Sequence, residues 1–408
     1  MKWLREDADA IVSAGIKAVL PDEAVKRAIK DMPAPKGRLI LIAAGKAAWQ
    51  MAKAATDCVK VDGGVVVTKY DHVREELPGI ACYEAGHPVP DQNGFDATAK
   101  ALDAVCDLSA DDTVLFLLSG GGSSLFESPL IPGEELQDIT KQLLACGADI
   151  VEINTIRKRL SRVKGGRFAE LCSPAKVYTV VLSDIIGDPL DMIASGPSYP
   201  DQSTCRDALD VVEKYGLRLT EAARELLGKE TPKSLDNVTT EVTGSVSELC
   251  KAISRKCEEL GYRPVILTDR LQCEARDAGV MLGEKVKEFA GKGEKIAFIA
   301  GGETVVHLTG SGLGGRNQEI ALAAAPLIAG LDAAVFSFGS DGTDGPTDAA
   351  GGYVDGDSLS LLESNGLKVA EVLADNDAYH ALKSIGGLIM TGPTGTNVND
   401  AAVALITG

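Results

Sequence analysis

Several stretches of this sequence combine glycine with charge or hydroxyls in ways that suit phosphate chemistry. In "AAGKAAWQM", Lys46 follows Gly45 where a buried strand gives way to a helix. A cation at a helix start opposes the helix dipole, a cost that a docked anion would offset. A solvated lysine is the plainer alternative. In "LLSGGGSSLFESP", the run Ser119, Gly120, Gly121, Gly122, Ser123 and Ser124 follows another apolar strand. Three glycines let backbone N–H groups approach a phosphate, and hydroxyls add donors. The competing reading is a flexible turn ending in a serine N-cap.

The segment "NTIRKRLSRVKGGRFAE" holds Arg157, Lys158, Arg159, Arg162, Lys164 and Arg167 in a chain whose net charge is −18. It divides evenly between a solvated helix face and an anion-facing loop, for which Lys164, Gly165, Gly166 and Arg167 are best suited. Carboxylates gather at two strand ends. "VLSDIIGDPLDMIASGPSYPD" carries Asp184, Asp188 and Asp191 and then a second turn at Ser195-Gly196-Pro197; "FSFGSDGTDGPTDAAGG" carries Asp341, Asp344 and Asp348. Such groups suit Mg²⁺ or a general base, or turn chemistry alone. "MTGPTGTNVND" offers uncharged donors, among them Thr394 and Asn397, as a lid over a nucleotide or phosphate would.

Gly310, Gly312 and Gly315 in "LTGSGLGGRNQEIALAAAP" spell the dinucleotide-binding pattern G-x-G-x-x-G. The context argues against it. The preceding "ETVVHLT" is interrupted by polar residues and follows "KIAFIAGG" so closely that the two read as a hairpin, not as a crossover unit. The next strand-end acid, Asp341, comes later than the ~20 residues the pattern expects. Arg316, followed by Asn317 at the helix start, suits an anion or a moving phosphoryl group better. G-x-S-x-G and H-E-x-x-H are absent, which removes the hydrolase elbow and the common zinc site.

The elements that must position these loops are short Val/Ile/Leu runs alternating with amphipathic helices. Runs at 38–45, 63–69, 113–120 and 176–184, and again at 263–269, 295–302, 333–341 and 387–392, read as strands buried on both faces. The expected fold is α/β, with two Rossmann-like domains of mostly parallel sheet flanking a deep cleft. The polar stretch "LGKETPKSLDNVTTEVTG" sets the boundary, giving domains 1–236 and 237–408. The 408 residues and 45% apolar composition suit an ordinary globular protein. Strong acidity argues against nucleic acid. Nine cysteines without C-x-x-C spacing, an N-terminus lacking a signal peptide's apolar core and the lack of a long apolar run point to a cytoplasmic protein off the membrane. Monomer and homodimer both remain open.

At these motifs the sequence resembles the class II, MOFRL-type glycerate 2-kinases. "AAGKAAWQMA", "LSGGGSSL", "IRKRLSRVKGGRFA", "LSDIIGDPLDMIASGP", "GGETVV", "GLGGRNQEIAL", "SDGTDGPTDAAGG" and "GPTGTNVND" occur in that order over nearly the whole chain. Family members often have alanine at the position of Ser124. The resemblance implies phosphorylation of D-glycerate at its 2-hydroxyl by ATP and Mg²⁺. It makes Lys46 and Arg316 the central cations, with Asp184 and Asp341 as candidates for base work and Asp188 and Asp344 for metal. The loop Ser119–Ser124, with Lys164, Gly165, Gly166, Asn317, Thr394 and Asn397, would hold the nucleotide. Because some relatives carry the label hydroxypyruvate reductase, an NAD(P)H-dependent reductase stays open beside the kinase. So does a non-catalytic nucleotide sensor.

Overall fold

The first strand, Leu39–Ala44 (β1), shows how the apolar runs are used. Leu39, Leu41 and Ala43 enter one core while Ile40, Ile42 and Ala44 enter another on the opposite face. Burial on both faces removes the polar/apolar alternation of a half-exposed strand. Each large side chain so buried contributes roughly 1.5–3 kcal/mol. The computed structural model describes residues 2–408. Its chain forms two units: a first of Pro21–Ser183 and Asp188–Thr243, and a second of residues up to Leu20, Asp184–Gly187 and Gly244–Gly408.

The first unit's sheet adds Gly63–Lys69 (β2), Ile80–Ala85 (β3), Thr113–Leu118 (β4), Lys176–Leu182 (β5) and Val238–Gly244 (β6). The order is β3-β2-β1-β4-β5-β6, and β1 to β5 pair in parallel. The order reverses between β1 and β4. In such sheets ligands gather at the carboxyl ends of the strands at that switch. The loops carrying Lys46 and Ser119–Ser124 follow these two strands.

The second sheet contains Arg263–Leu271 (β7), Ile296–Gly302 (β8), Ala333–Gly339 (β9), Gly351–Asp355 (β10), Leu388–Ile389 (β11) and Asp400–Ile406 (β12). Its order is β11-β10-β9-β12-β8-β7. Here the expectation of a mostly parallel sheet needs correction. Only β7 and β8 pair in parallel; β12 runs antiparallel to both β8 and β9, and β10 is antiparallel to β9 and β11. The expected hairpin after β8 is also absent. Both edges of β8 are taken, by β7 and β12, so residues 303–315 leave the sheet as a loop with one isolated bridge, Glu274 to Val305.

The units depart from a division at 236/237 in three places, one of them the short segment Asp184–Gly187, which falls in the second unit. β6 continues the first sheet, so the break falls at 243/244. The helix Lys2–Ala18 lies in the second unit, where Leu4, Ile11 and Val12 share a core with Leu249, Ile253 and Phe336. A Cβ on Gly15 would lie 3.1 Å from both Ile253 and Leu249, so this helix packs closely on the helix Val246–Glu259.

Candidate active site

In the first unit, the turns after β1 and β4 are knitted together. Ser119 N–H donates to the Ala44 carbonyl (3.0 Å) and Lys46 N–H to the Gly120 carbonyl (2.9 Å). Ala47 N–H donates to Ser119 Oγ (3.0 Å). A Cβ on Gly45, whose φ is +125°, would run into Ser119. Gly121, at φ +85°, lies under two side chains: an added Cβ would be 3.0 Å from the His87 ring and 3.2 Å from Lys46 Cγ. The Lys46 stem thus lies across the glycine turn. Lys46 is an exposed residue and makes no ion pair among the described residues. Sequence reasoning missed His87, since a lone histidine in a loop carries no pattern.

Behind the turn, the basic segment is mostly interior. Lys158, Arg159 and Lys164 are buried, while Arg162 is exposed. Lys158 pairs with Asp201 at 3.2 Å and Arg159 with Asp201 at 3.5 Å. Arg167 donates to the carbonyls of Arg159 and Ser161. Lys164 Nζ donates to the carbonyls of Ser123 (2.9 Å) and Phe126 (3.1 Å), and Arg157 also donates to Ser123 (2.9 Å). Glu127, fully buried, faces both cations at 3.5 and 4.0 Å, and neither of its oxygens has a hydrogen-bond partner among the described residues. Burial pushes the Lys164 ammonium down to about 8, against the pull of Glu127. The expectation that Lys164 and Arg167 turn their charge outward is therefore corrected. Both brace carbonyls inside the fold, because a chain that turns this sharply leaves carbonyls that need donors. Gly165 and Gly166, at φ +60° and +84°, bond to the carbonyls of Ser195 and Gly196.

In the second unit, Arg316 opens the helix Arg316–Ile328 after Gly315. Its Nε donates to Asp400 Oδ2 (2.5 Å), Nη2 to Asp400 Oδ1 (3.2 Å) and Nη1 to Glu303 (2.8 Å). Burial works against the guanidinium charge, but Asp400, Glu303 and Asp344 outweigh it, and the pKa is raised further. Asp344 caps this helix: its two oxygens accept from Asn317 N–H (3.1 Å) and Gln318 N–H (2.9 Å). Burial nevertheless raises Asp344 to about 6, with nearby Asp400 adding to the shift. Asp400 too is raised by burial, against the Arg316 bond. A groove of about 1200 Å³ is lined by Glu303, Thr304, Arg316, Asp341 and Asp344. The Thr304 hydroxyl is buried there with no partner among the described residues.

The remaining candidates in this unit differ in exposure. Asn317 is interior, its amide oxygen accepting from Ser337 (2.5 Å) and its Nδ2 on Asp344 (3.3 Å). Asp341 is half-buried, one oxygen taking Thr343 N–H at 3.0 Å. Thr394 bonds to the Ser340 carbonyl at 2.6 Å, and Asn397 is exposed with its oxygen on Asn399 N–H. Asp184 and Asp188 are half-buried just beyond β5, assigned to the second and first unit respectively. The partners Asp400 and Glu303 were missed as site residues, although the motifs containing them stand out; their role depends on strands far apart in sequence.

Mg²⁺, which the resemblance implies, finds no resident cage. No group of three or more His, Cys, Asp or Glu side chains among the described residues converges to hold a metal ion. Asp344, expected as a ligand, spends both oxygens on helix amides. A Mg²⁺ carried in on nucleotide phosphates needs only one or two carboxylates. The glycines of "GSGLGG" also have an internal purpose. The N–H groups of Thr309 and Gly310 donate to Asn376 Oδ1, Ser311 N–H to Asp375, Gly312 N–H to the Asp375 carbonyl and Leu313 N–H to Asp377. A Cβ on Gly310 or Gly312 would strike that same segment. Amides already bonded in this way are not offered to a pyrophosphate, and the dinucleotide reading loses its structural basis.

Comparison with known proteins agrees with this picture. Residues 7–228 match a family model described as a domain of unknown function (DUF4147), and residues 296–400 match the MOFRL family. A D-glycerate 2-kinase of Thermotoga maritima is 50% identical, covering 99% of this chain and 98% of its own. A glycerate 2-kinase of Pyrococcus horikoshii is 41% identical over 99% and 98%. A putative hydroxypyruvate reductase of Agrobacterium vitis is 42% identical over 91% and 100%. The crystal structure of a glycerate kinase from Thermotoga maritima superposes with a TM-score of 0.95, covering 100% of both chains at 50% identity. With two family models following one another along it and relatives alike over their whole length, the chain belongs to the MOFRL-type glycerate 2-kinase family.

Proposed function

We propose that this protein is a kinase that moves the γ-phosphoryl group of MgATP to the 2-hydroxyl of D-glycerate, giving 2-phosphoglycerate. One observation carries the reading: an exposed lysine, without an ion pair among the described residues, laid across a glycine turn where the sheet order reverses. Phosphoryl transfer needs little covalent help from a protein. It needs cations on the moving charge and a fixed alignment of donor and acceptor. Lys46 supplies the cation, while the backbone N–H groups and hydroxyls of Ser119–Ser124 hold donor phosphates. Arg316 is the second proposed cation, its planar guanidinium held in one orientation by Asp400 and Glu303. Asp184 or Asp341 accepts the proton of the attacking hydroxyl; Asp341 uses one oxygen for Thr343 and presents the other. The nine cysteines are all free, which suits the reducing cytoplasm proposed for it. No helix among the described residues is long and apolar enough to cross a membrane.

The test is to incubate the protein with ATP, Mg²⁺ and a panel of hydroxy acids and to identify the product by phosphorus NMR. 2-Phosphoglycerate with stoichiometric ADP is expected. ATP bound without ADP release in the presence of glycerate would make the protein a nucleotide sensor instead. The name of the Agrobacterium relative keeps one further assay in view: loss of NADH absorbance with hydroxypyruvate would establish a reductase.

A further inference from the structure

The turn Ala194-Ser195-Gly196 has three successive residues in the left-handed region, at φ +52°, +62° and +63°. Glycine adopts that conformation freely, but for alanine and serine it is costly, and runs of it are rare. Something in the fold must hold it. Ser195 is fully buried, and its hydroxyl donates to Asn154 Oδ1 at 2.8 Å. The Ser123 hydroxyl lies 3.3 Å from Ser195 Oγ. Since Ser195 spends its one proton on Asn154, Ser123 is the donor in that pair. On the other side, Ala194 packs against Gly122, where an added Cβ would lie 2.8 Å from the alanine methyl. The Ser195 carbonyl accepts from Gly165 N–H (3.0 Å). Ser123 is thus held at two points: its carbonyl by Lys164 and Arg157, its hydroxyl by Ser195.

We infer that Ser195 is a positioning residue for phosphoryl transfer, its strained turn and its bond to Asn154 holding the Ser123 hydroxyl where a donor phosphate meets it. This rests on the reading that the Ser119–Ser124 loop binds those phosphates. At 3.3 Å the bond is long, so the Ser123 O–H can rotate away from Ser195 and donate to a bound phosphate oxygen, Ser195 having held the Ser123 hydroxyl in place until the phosphate arrives. The strain belongs with that role: a relaxed backbone at Ser195 would carry the hydroxyl away from Asn154 and Ser123 together.

Ser195→Ala and Ser195→Gly separate positioning from simple stability. Both lose the hydroxyl, but only glycine relieves the left-handed penalty. Ser195→Gly should melt a few degrees above Ser195→Ala. Both should raise the KM for ATP by the same factor, about three- to tenfold, as one hydrogen bond's worth, with the KM for glycerate unchanged. In a Ser123→Ala background neither should have any further effect on that KM. An activity loss that follows the melting temperature, or additive effects with Ser123→Ala, would overturn the inference. If Ser123→Ala itself leaves kcat and both KM values at the parent level, the loop reading fails. If Ser123→Ala matters and the Ser195 variants do not, the Ser195 inference alone fails.

Discussion

Lys46, in the first unit, is exposed and makes no ion pair among the described residues, whereas Arg316, in the second, is bonded to Asp400 on one edge and Glu303 on the other. Their surroundings differ in the same sense. Lys46 lies against the Gly121 turn beside His87, and the carboxylate below the loop, Glu127, is shared by buried Lys164 and half-buried Arg157. Around Arg316 lie Asp400, Glu303, Asp344 and Asp341, an excess of negative charge. Lysine is a compact charge on a flexible stem, and it can follow a phosphoryl group as it moves. Arginine is a planar fork suited to a fixed bidentate partner. The first region leaves its cation without an ion pair among the described residues, and the second holds its cation in a set plane.

That contrast can be broken in four ways, from the largest expected effect to the smallest. Lys164→Met should destabilise the first unit by about 3–5 kcal/mol, because it strands Glu127 with only the more distant Arg157 as partner. Adding Glu127→Gln should restore most of the loss, and urea unfolding of parent, single and double variants would read it. Failure of the double variant to recover would mean that the bonds to Ser123 and Phe126 matter more than the charge pair.

Lys46→Ala should lower kcat about 10²–10³-fold, as the loss of one transition-state donor does, with unfolding free energy unchanged within about 0.5 kcal/mol. Steady-state kinetics and a melting curve check the pair. A destabilised Lys46→Ala would mean that the lysine is part of the packing.

Arg316→Ala should also lower kcat, but with a stability cost of about 1–3 kcal/mol, since buried Asp400 loses its partner. The figure stays at the lower end because the arginine side chain keeps 33% of its exposure. Full turnover in this variant would remove Arg316 from the mechanism and leave it as a strut.

The smallest effect is one of pH. Asp344 has a folded pKa raised to about 6, so the folded protein holds that proton more tightly than the unfolded chain. The native state is therefore favoured at low pH, and this contribution falls away as pH rises from the unfolded value near 4 to about 6. Lys164 has the opposite sign and window. Its folded value, lowered to about 8, makes stability rise as pH goes from about 8 toward the unfolded value near 10. Melting temperatures across both windows should show Asp344→Asn flattening the acid limb and the Glu127→Gln/Lys164→Met pair flattening the alkaline one. An unchanged acid limb in Asp344→Asn would assign it to other carboxylates.

Much of the fold and of the candidate site could be read directly from the residues. The strands β1, β2, β4 and β5 are long apolar runs because both faces are buried, and such runs are visible without a structure. Lys46 and the Ser119–Ser124 loop stand at the ends of two of them, so their proximity follows from parallel order once the switch point is known. The charge run 157–167 was ambiguous for a physical reason. A buried lysine and a solvated one have the same letter, and only the carbonyls of Ser123 and Phe126 identify Lys164 as interior. The G-x-G-x-x-G pattern misled in the same way: its amides bond to Asp375, Asn376 and Asp377, more than sixty residues downstream.

By itself the sequence determined the α/β class, the family and the cations and glycine loops proposed to carry the chemistry. These follow from local period, local composition and the order of motifs, which are properties of neighbouring residues. The tertiary structure alone decided which charges face inward, that Arg316 is clamped by Asp400 and Glu303, that the second sheet is mixed, and that the helix Lys2–Ala18 packs with residues beyond 244. Each of those rests on contacts between segments far apart in the chain, where burial and hydrogen-bond satisfaction, not local preference, select the partner.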